Sequence, residues 1–394
     1  MPAPATTPPP QVKFWRDPAK RALLFQVLLV TVVAGIIWYI VDNTLTNLST
    51  RGITTGFGFL DDPAGFAIAQ SLIPYAETDT YGRTFVVGLL NTLLVSFLGI
   101  LGATILGFII GVARLSPNWL IRKLASAYVE VFRNLPLLLQ MFFWYFAVLR
   151  TLPGPRDSLN INDTLFLNVR GLYLPEPVPG EGFGLVWLAL AAALTLSVWL
   201  LRFNRRRQEA TGRRLPAWWI SLGLVLILPA LAFMLQGSPL SWNYPELRGF
   251  NFRGGMTIIP EFLALWLSLT IYTAAFIAEI VRSGIQAVSH GQTEAAHALG
   301  IKDSLTLRLV IIPQAMRVII PPLTSQYLNL TKNSSLATAI GYPDLVSVFA
   351  GTTLNQTGQA IEVIAITMLV YLTISLSVSL FMNWFNSRMA LVER

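Results

Sequence analysis

Long apolar runs alternate with polar, proline- and glycine-rich segments from one end of this chain to the other. The runs cover residues 22–41, 84–113, 137–149, 183–201, 216–235, 259–281, 309–330 and 360–384. Most approach or exceed the roughly 18 residues that read as a bilayer-crossing helix. The pattern therefore predicts an all-α, polytopic integral membrane protein with about eight transmembrane helices. The run at 137–149 is short and is expected to begin inside the segment before it. Gly99, Gly102, Gly107 and Gly111 punctuate the second run, and small residues so spaced let helices approach closely. The seventh run is interrupted by Pro313, Pro321 and Pro322 and carries Arg317 and Gln326. Such breaks suit a helix buried among neighbours or lining a pathway, not one facing lipid.

The polar segments add two local readings. Met1–Pro10 is rich in proline and alanine and reads as disordered. The run at 22–41 is too long for a signal-peptide core and has no small-residue cleavage site after it, so it reads as a retained anchor. Between the sixth and seventh runs lies Ser289-His-Gly-Gln292-Thr-Glu294-Ala295-Ala296-His-Ala-Leu-Gly300. Ser289 with Gln292 fits a capping box, and Gly300 fits the left-handed residue closing a helix. A helix of about ten residues, roughly 15 Å long, is expected between them.

Composition sharpens the class. The chain of 394 residues is 54% hydrophobic and 12% charged, about half the usual charged share of a soluble domain. It has no cysteine, and its two histidines, His290 and His297, form no HExxH, so thiolate chemistry and a zinc hydrolase are excluded. No lysine sits in a GxxxxGK[ST] loop and there is no GxSxG elbow. Any nucleotide-driven work must come from another chain. The net charge of +8 reflects loop distribution, not nucleic-acid binding. With a cytoplasmic N-terminus, 19 lysines and arginines face the cytoplasm and 8 face outward, with Arg317 inside a span. That bias satisfies the positive-inside rule. It places both termini and Ser289–Gly300 in the cytoplasm.

Glu294-Ala295-Ala296, then Gly300, then Val310-Ile311-Ile312-Pro313 resembles the EAA loop of ABC-importer permeases (EAA, three residues, G, nine residues, I-x-L-P). Val310 and Ile312 depart from it while staying apolar and branched. Phe132-Arg133-Asn134-Leu135-Pro136-Leu-Leu-Leu-Gln140 resembles the FRGTPLLVQ signature of histidine/glutamine-type polar amino-acid permeases. Gly88–Thr92, Ala278–Gly284 and Leu330–Leu336 resemble the same subfamily. The layout resembles the larger permeases of general L-amino-acid transporters. The resemblance implies a type I importer permease with a five-helix core over 84–150 and 259–385. Outside it stand 1–83 with the first anchor, an insertion at 151–258 with two extra helices, and a tail at 386–394. It implies that the loop at about 289–313 is a coupling helix docking on a cytoplasmic ABC ATPase dimer through Glu294, Ala295, Ala296, Gly300 and Pro313. It also implies a second homologous permease (or a second copy), a periplasmic amino-acid-binding protein, and placement in a bacterial inner membrane. ATP and Mg would sit on the partner ATPase, with no cofactor and no metal in this chain.

The polar residues on core runs are candidates for a substrate path: Asn91, Thr92, Gln140, Arg317, Gln326, Asn329 and Lys332. Each equally fits a buried interhelical hydrogen bond or a solvated charge. Thr331 stands with them. Glu279 and Arg282, three residues apart, fit a structural pair. Arg133 fits either a partner for helix carbonyls or Glu130, or plain cytoplasmic charge. Two rivals stay open: the same mechanism with another small polar solute, and an ion-coupled secondary transporter. The latter needs intramembrane carboxylates, and only Glu261, Glu279 and Glu362 lie near spans, all toward the ends.

Overall fold

The computed structural model describes residues 18–50, 52, 55–212 and 215–389. The expectations for Met1–Pro10 and for Lys13, Arg16, Arg51, Arg213, Arg214 and Arg394 lie outside those residues. The chain folds into helices α1 (Pro18–Thr50), α2 (Tyr81–Ala113), α3 (Trp119–Asn134) and α4 (Leu137–Phe142, wound on to Thr151). After four short strands come α5 (Phe183–Thr211) and α6 (Ala217–Leu235). Four more strands lead to α7 (Pro260–Gln286), α8 (His290–Ala298), α9 (Asp303–Thr306), α10 (Ile312–Asn333), α11 (Leu354–Thr357) and α12 (Ala360–Met389). Seven helices are long and apolar enough to cross a membrane, or eight if the bent pair α3–α4 counts as one span.

The run at 137–149 is preceded by a helix in the segment where the span is expected to begin, but a sharp bend separates the two. Asn118 caps α3 by accepting from the amides of Leu120 and Ile121. Pro136 lacks an amide hydrogen and forces Leu135 into an extended conformation, at φ −92° and ψ 130°. The helix axis turns by 105° there. Gln140 Nε2 donates to the carbonyls of Phe132 (3.1 Å) and Leu135 (3.0 Å), which the bend leaves without helical partners.

The core centres on α7, which packs against α2, α3, α4 and α10. Leu265, Leu269 and Ile277 are fully buried there beside Val95, Ala103 and Leu330. Gly102, Gly107 and Gly111 of α2 face this helix. A Cβ on Gly107 would stand 2.6 Å from Cβ of Ile277, and one on Gly111 2.7 Å from Cβ of Val281. The close approach read from their spacing is thus realised. Ahead of α2, residues 55–80 fold over its N-terminal end, with Phe59 buried against Phe349, Tyr81 and Val363.

The insertion brings the strands, which the all-α expectation did not contain. β1 (Leu159–Ile161), β2 (Leu165–Asn168), β3 (Gly171–Leu174) and β8 (Met256–Ile258) form one antiparallel sheet. β4 (Glu176–Pro179) pairs with β5 (Leu240–Asn243), and β6 (Glu246–Arg248) with β7 (Asn251–Arg253). These strands are three or four residues long, so the molecule stays mostly helical. Between β4 and β5 the chain runs up α5 and back down α6 as an antiparallel hairpin.

Candidate functional site

The segment Ser289–Pro313 leaves the bundle between α7 and α10. Ser289 stands at the helix start, but its side chain makes no capping bond. The capping box therefore does not form. Gln292 instead accepts from Nε2 of Gln314 (3.2 Å), which ties α8 to the first turn of α10. The far end closes as expected. Gly300 lies at φ +72°, its amide donates to the carbonyl of His297 (2.8 Å), and the Ile301 amide donates to Ala296 (3.1 Å). This double bond is the Schellman arrangement. The two histidines fall inside α8, and Nε2 of His297 lies 2.8 Å from Asp303.

One face of α8 rests on the protein and the other is free. Ala296 is buried, while Glu294, Ala295 and Gly300 are exposed. Glu294 has no ion-pair partner among the described residues. Leu299 is 79% exposed, a large apolar side chain at the helix tip which the sequence reading passed over. The signal was present: an apolar residue directly before the closing glycine has no core to enter. Pro313 opens α10 after one π-helical turn (Leu307–Ile311).

Just above α8, Glu279 of α7 gathers three arginines from three helices. Arg282 Nη2 lies 2.5 Å from its Oε1, and Arg114 from the end of α2 bonds its Oε2. Arg133 of α3 stands at 4.0 Å, with its guanidinium over the Phe276 ring. The pairing of Glu279 with Arg282 matches the sequence reading; among the described residues Arg133 bonds neither helix carbonyls nor Glu130. The other two carboxylates near spans are also engaged. Glu261 accepts from the Tyr145 hydroxyl (2.7 Å) and Glu362 from the Gly56 amide (2.7 Å). All three therefore act as structural anchors, which weakens the ion-coupled rival.

The candidate path residues separate into two groups. Asn91 donates to the carbonyls of Gln70 (2.8 Å) and Pro343 (2.9 Å), and Thr92 accepts from the Leu345 amide (3.0 Å). With Gln140 at the α3–α4 bend, these three hold backbone together. Val318, Pro322, Ser325, Asn329 and Lys332 form one exposed stripe along α10, at helical spacing, with Gln326 half-buried beside it. Lys332 opens into a cavity of about 450 Å³ lined also by Ser335, Thr367, Tyr371 and Ser375. Arg317 lies about 22 Å farther along the helix toward α8. Its Nε and Nη2 are shielded without an acceptor among the described residues.

Behind Tyr371 sits Asp344, also missed in the sequence because nothing local marks it as buried. Its Oδ1 accepts from the Ser347 amide at 2.8 Å. Burial pushes its carboxyl up to about 7. The folded state thus holds this proton more tightly than the unfolded chain. The stability it contributes is complete below about pH 4 and is lost as pH rises through the folded value. Asp344→Asn is expected to flatten the decline of Tm from mildly acidic to neutral pH. An unchanged slope in the variant would assign that decline to another group.

α8 thus projects between two spans, and an exposed stripe with Ser325, Asn329 and Lys332 runs along the second. Residues 211–391 match the family of the binding-protein-dependent transport system inner membrane component. The chain is 62% identical over 378 residues to the putative amino-acid ABC transporter permease protein YhdX of Escherichia coli K12, covering 96% of both chains. It is 52% identical over 378 residues to the general L-amino acid transport system permease protein AapQ of Rhizobium johnstonii, covering 96% of this chain and 94% of that protein. To the glutamate/glutamine/aspartate/asparagine transport system permease protein BztB of Rhodobacter capsulatus it is 46% identical over 410 residues, covering 96% of each. The chain belongs to the amino-acid ABC transporter permeases. It is a membrane permease subunit and not an enzyme.

Proposed function

We propose that this chain forms one half of the translocation path of an ATP-driven importer of L-amino acids and receives the work of ATP through α8. The observation that carries the reading is α8 itself. It is a short helix closed by Gly300 and tied to α10 through Gln292 and Gln314, and it exposes Glu294, Ala295 and Leu299 for a partner. An ABC ATPase dimer with bound ATP and Mg is the partner suited to it. Docking Glu294–Gly300 there makes α8 a rigid lever on α7 and α10, with Pro313 at the second hinge.

The exposed stripe of α10 supports the path. Ser325, Asn329 and Lys332 are poor lipid-facing residues, so a second permease, homologous or identical, is suited to cover them and enclose a polar route. Gln326 and Arg317 border that route; Asn91, Thr92 and Gln140 set its walls. Lys332 and the hydroxyls around its cavity suit the carboxylate and ammonium of an amino acid, consistent with the breadth in the names of the relatives AapQ and BztB. The charge distribution supports cytoplasmic termini in a bacterial inner membrane, with the strands outside, where a periplasmic binding protein delivers ligand. The test is ATPase activity of the reconstituted complex, stimulated by loaded binding protein across a panel of solutes. Stimulation by amino acids is expected; stimulation only by another class of solute would overturn the substrate reading.

A further inference from the structure

The α5–α6 hairpin is the part of the molecule that the transport reading leaves unused. It packs on itself and joins the rest through the β4–β5 ladder. Ala193 and Ser197 of α5 and Ala217 and Ser221 of α6 are buried, and Ser197 Oγ donates to the Ser221 carbonyl (3.4 Å). At the basic end Asn204 locks the turn. Its Nδ2 donates to the Leu215 carbonyl (3.2 Å), and its Oδ1 accepts from the Leu215 amide (2.9 Å).

Two concavities lie along α5 toward that locked end. One, of about 500 Å³, lies where α5 meets α6 and is lined by Asn204, Arg205, Gln208, Trp218 and Trp219. The other, of about 520 Å³, runs along α5 from Leu194 past Val198 and Trp199 to Arg202. Arg202 and Arg205 are three residues apart and therefore neighbours on the helix. An apolar trough that ends at paired guanidiniums beside two exposed tryptophans has the outline of one ligand: an acyl chain, a phosphate and an interfacial glycerol. Guanidinium forks match phosphate oxygens, and tryptophan favours the headgroup level. The salt bridge from Arg205 to Glu209 (3.3 Å) is exposed and too weak to compete with a phosphate.

We infer that this end of the hairpin is a binding site for an anionic phospholipid of the cytoplasmic leaflet, with Arg202 and Arg205 on the phosphate and Trp199 along the chain. The leaflet assignment rests on the orientation proposed above. An acidic protein surface would find the arginines but has no use for the apolar trough, so the lipid is the better match.

The test uses the assembled transporter in bilayers of phosphatidylcholine with or without one-third phosphatidylglycerol, with retained lipid counted by native mass spectrometry. Each arginine near the surface contributes about a fivefold preference, so Arg202→Gln with Arg205→Gln should lose roughly twenty-five-fold of the phosphatidylglycerol preference at one site per copy. Arg202→Lys with Arg205→Lys should keep much of it. An unchanged preference in the Gln pair overturns the site. So does full displacement by inorganic phosphate, which would make it a free-anion site, or unchanged lipid with weakened ATPase binding. Ala210→Cys, the sole thiol in an otherwise cysteine-free chain, separates the two readings. Labelling from the cytoplasmic side without lipid preference refutes this inference alone. Labelling from outside overturns the orientation and, with it, the leaflet.

Discussion

Gly300→Val is expected to leave the permease folded in the membrane while reducing ATP-driven amino-acid uptake by about tenfold. Gly300 lies at φ +72° with no neighbour within 4 Å of the Cβ position, so the effect is purely conformational. A left-handed backbone disfavours an L side chain by roughly 1–2 kcal/mol, and more for a β-branched one. Escape from that region breaks the two bonds that end α8, Gly300 to His297 and Ile301 to Ala296. The tip with Leu299 then moves relative to Glu294. Because the site is exposed, the core does not register the change and Tm should shift little. Near 1.4 kcal/mol of misplacement corresponds to the tenfold loss. Asn tolerates this conformation, so Gly300→Asn should recover most of the uptake. If Gly300→Val transports within twofold of the parent, α8 does not transmit force as proposed.

The same residue illustrates what could be read in advance. A glycine closing a polar stretch is a local signal, as are the spans and the i,i+3 pair of Glu279 with Arg282. Partners brought by tertiary packing leave no such mark. Arg114 and Arg133 reach Glu279 from helices distant in sequence, and β3 finds β8 across the whole hairpin, with Leu172 opposite Ile258. Strands of three or four residues carry too few positions to display alternation. Asn91, Thr92 and Gln140 were recognisable as polar residues on apolar runs. That they hold backbone followed only from the carbonyls and amides that the fold sets before them. The exposed stripe of α10 was half legible: Gln326, Asn329 and Lys332 were marked as polar, but which face they share became clear only once the buried side was fixed by Leu323 and Leu330.

Glu279→Gln is expected to be the most destabilising single change among the charged residues. Glu279 and Arg114 are 26% and 14% exposed, and Arg114 Nε lacks an acceptor among the described residues. Removing the carboxylate charge leaves Arg114 and Arg282 facing each other at the edge of the bundle. Breaking a buried pair from one side typically costs about 3–5 kcal/mol; partial exposure reduces this to roughly 2–3 kcal/mol. Arg133, 41% exposed and 4.0 Å away, should matter much less, about 0.5 kcal/mol for Arg133→Gln. A paired replacement separates charge from packing. Glu279→Met with Arg114→Met removes both charges, so it should be more stable than Glu279→Met alone, with a coupling of at least about 1 kcal/mol. The measurement is thermal unfolding of the solubilised protein beside the ATPase activity of the assembled transporter. Since Glu279 ties α2 and α3 to the end of α7 that leads into α8, the single change should also raise ATP hydrolysis in the absence of loaded binding protein. Equal stability of Glu279→Gln and Arg133→Gln would mean that the three arginines are held by solvent and not by this carboxylate.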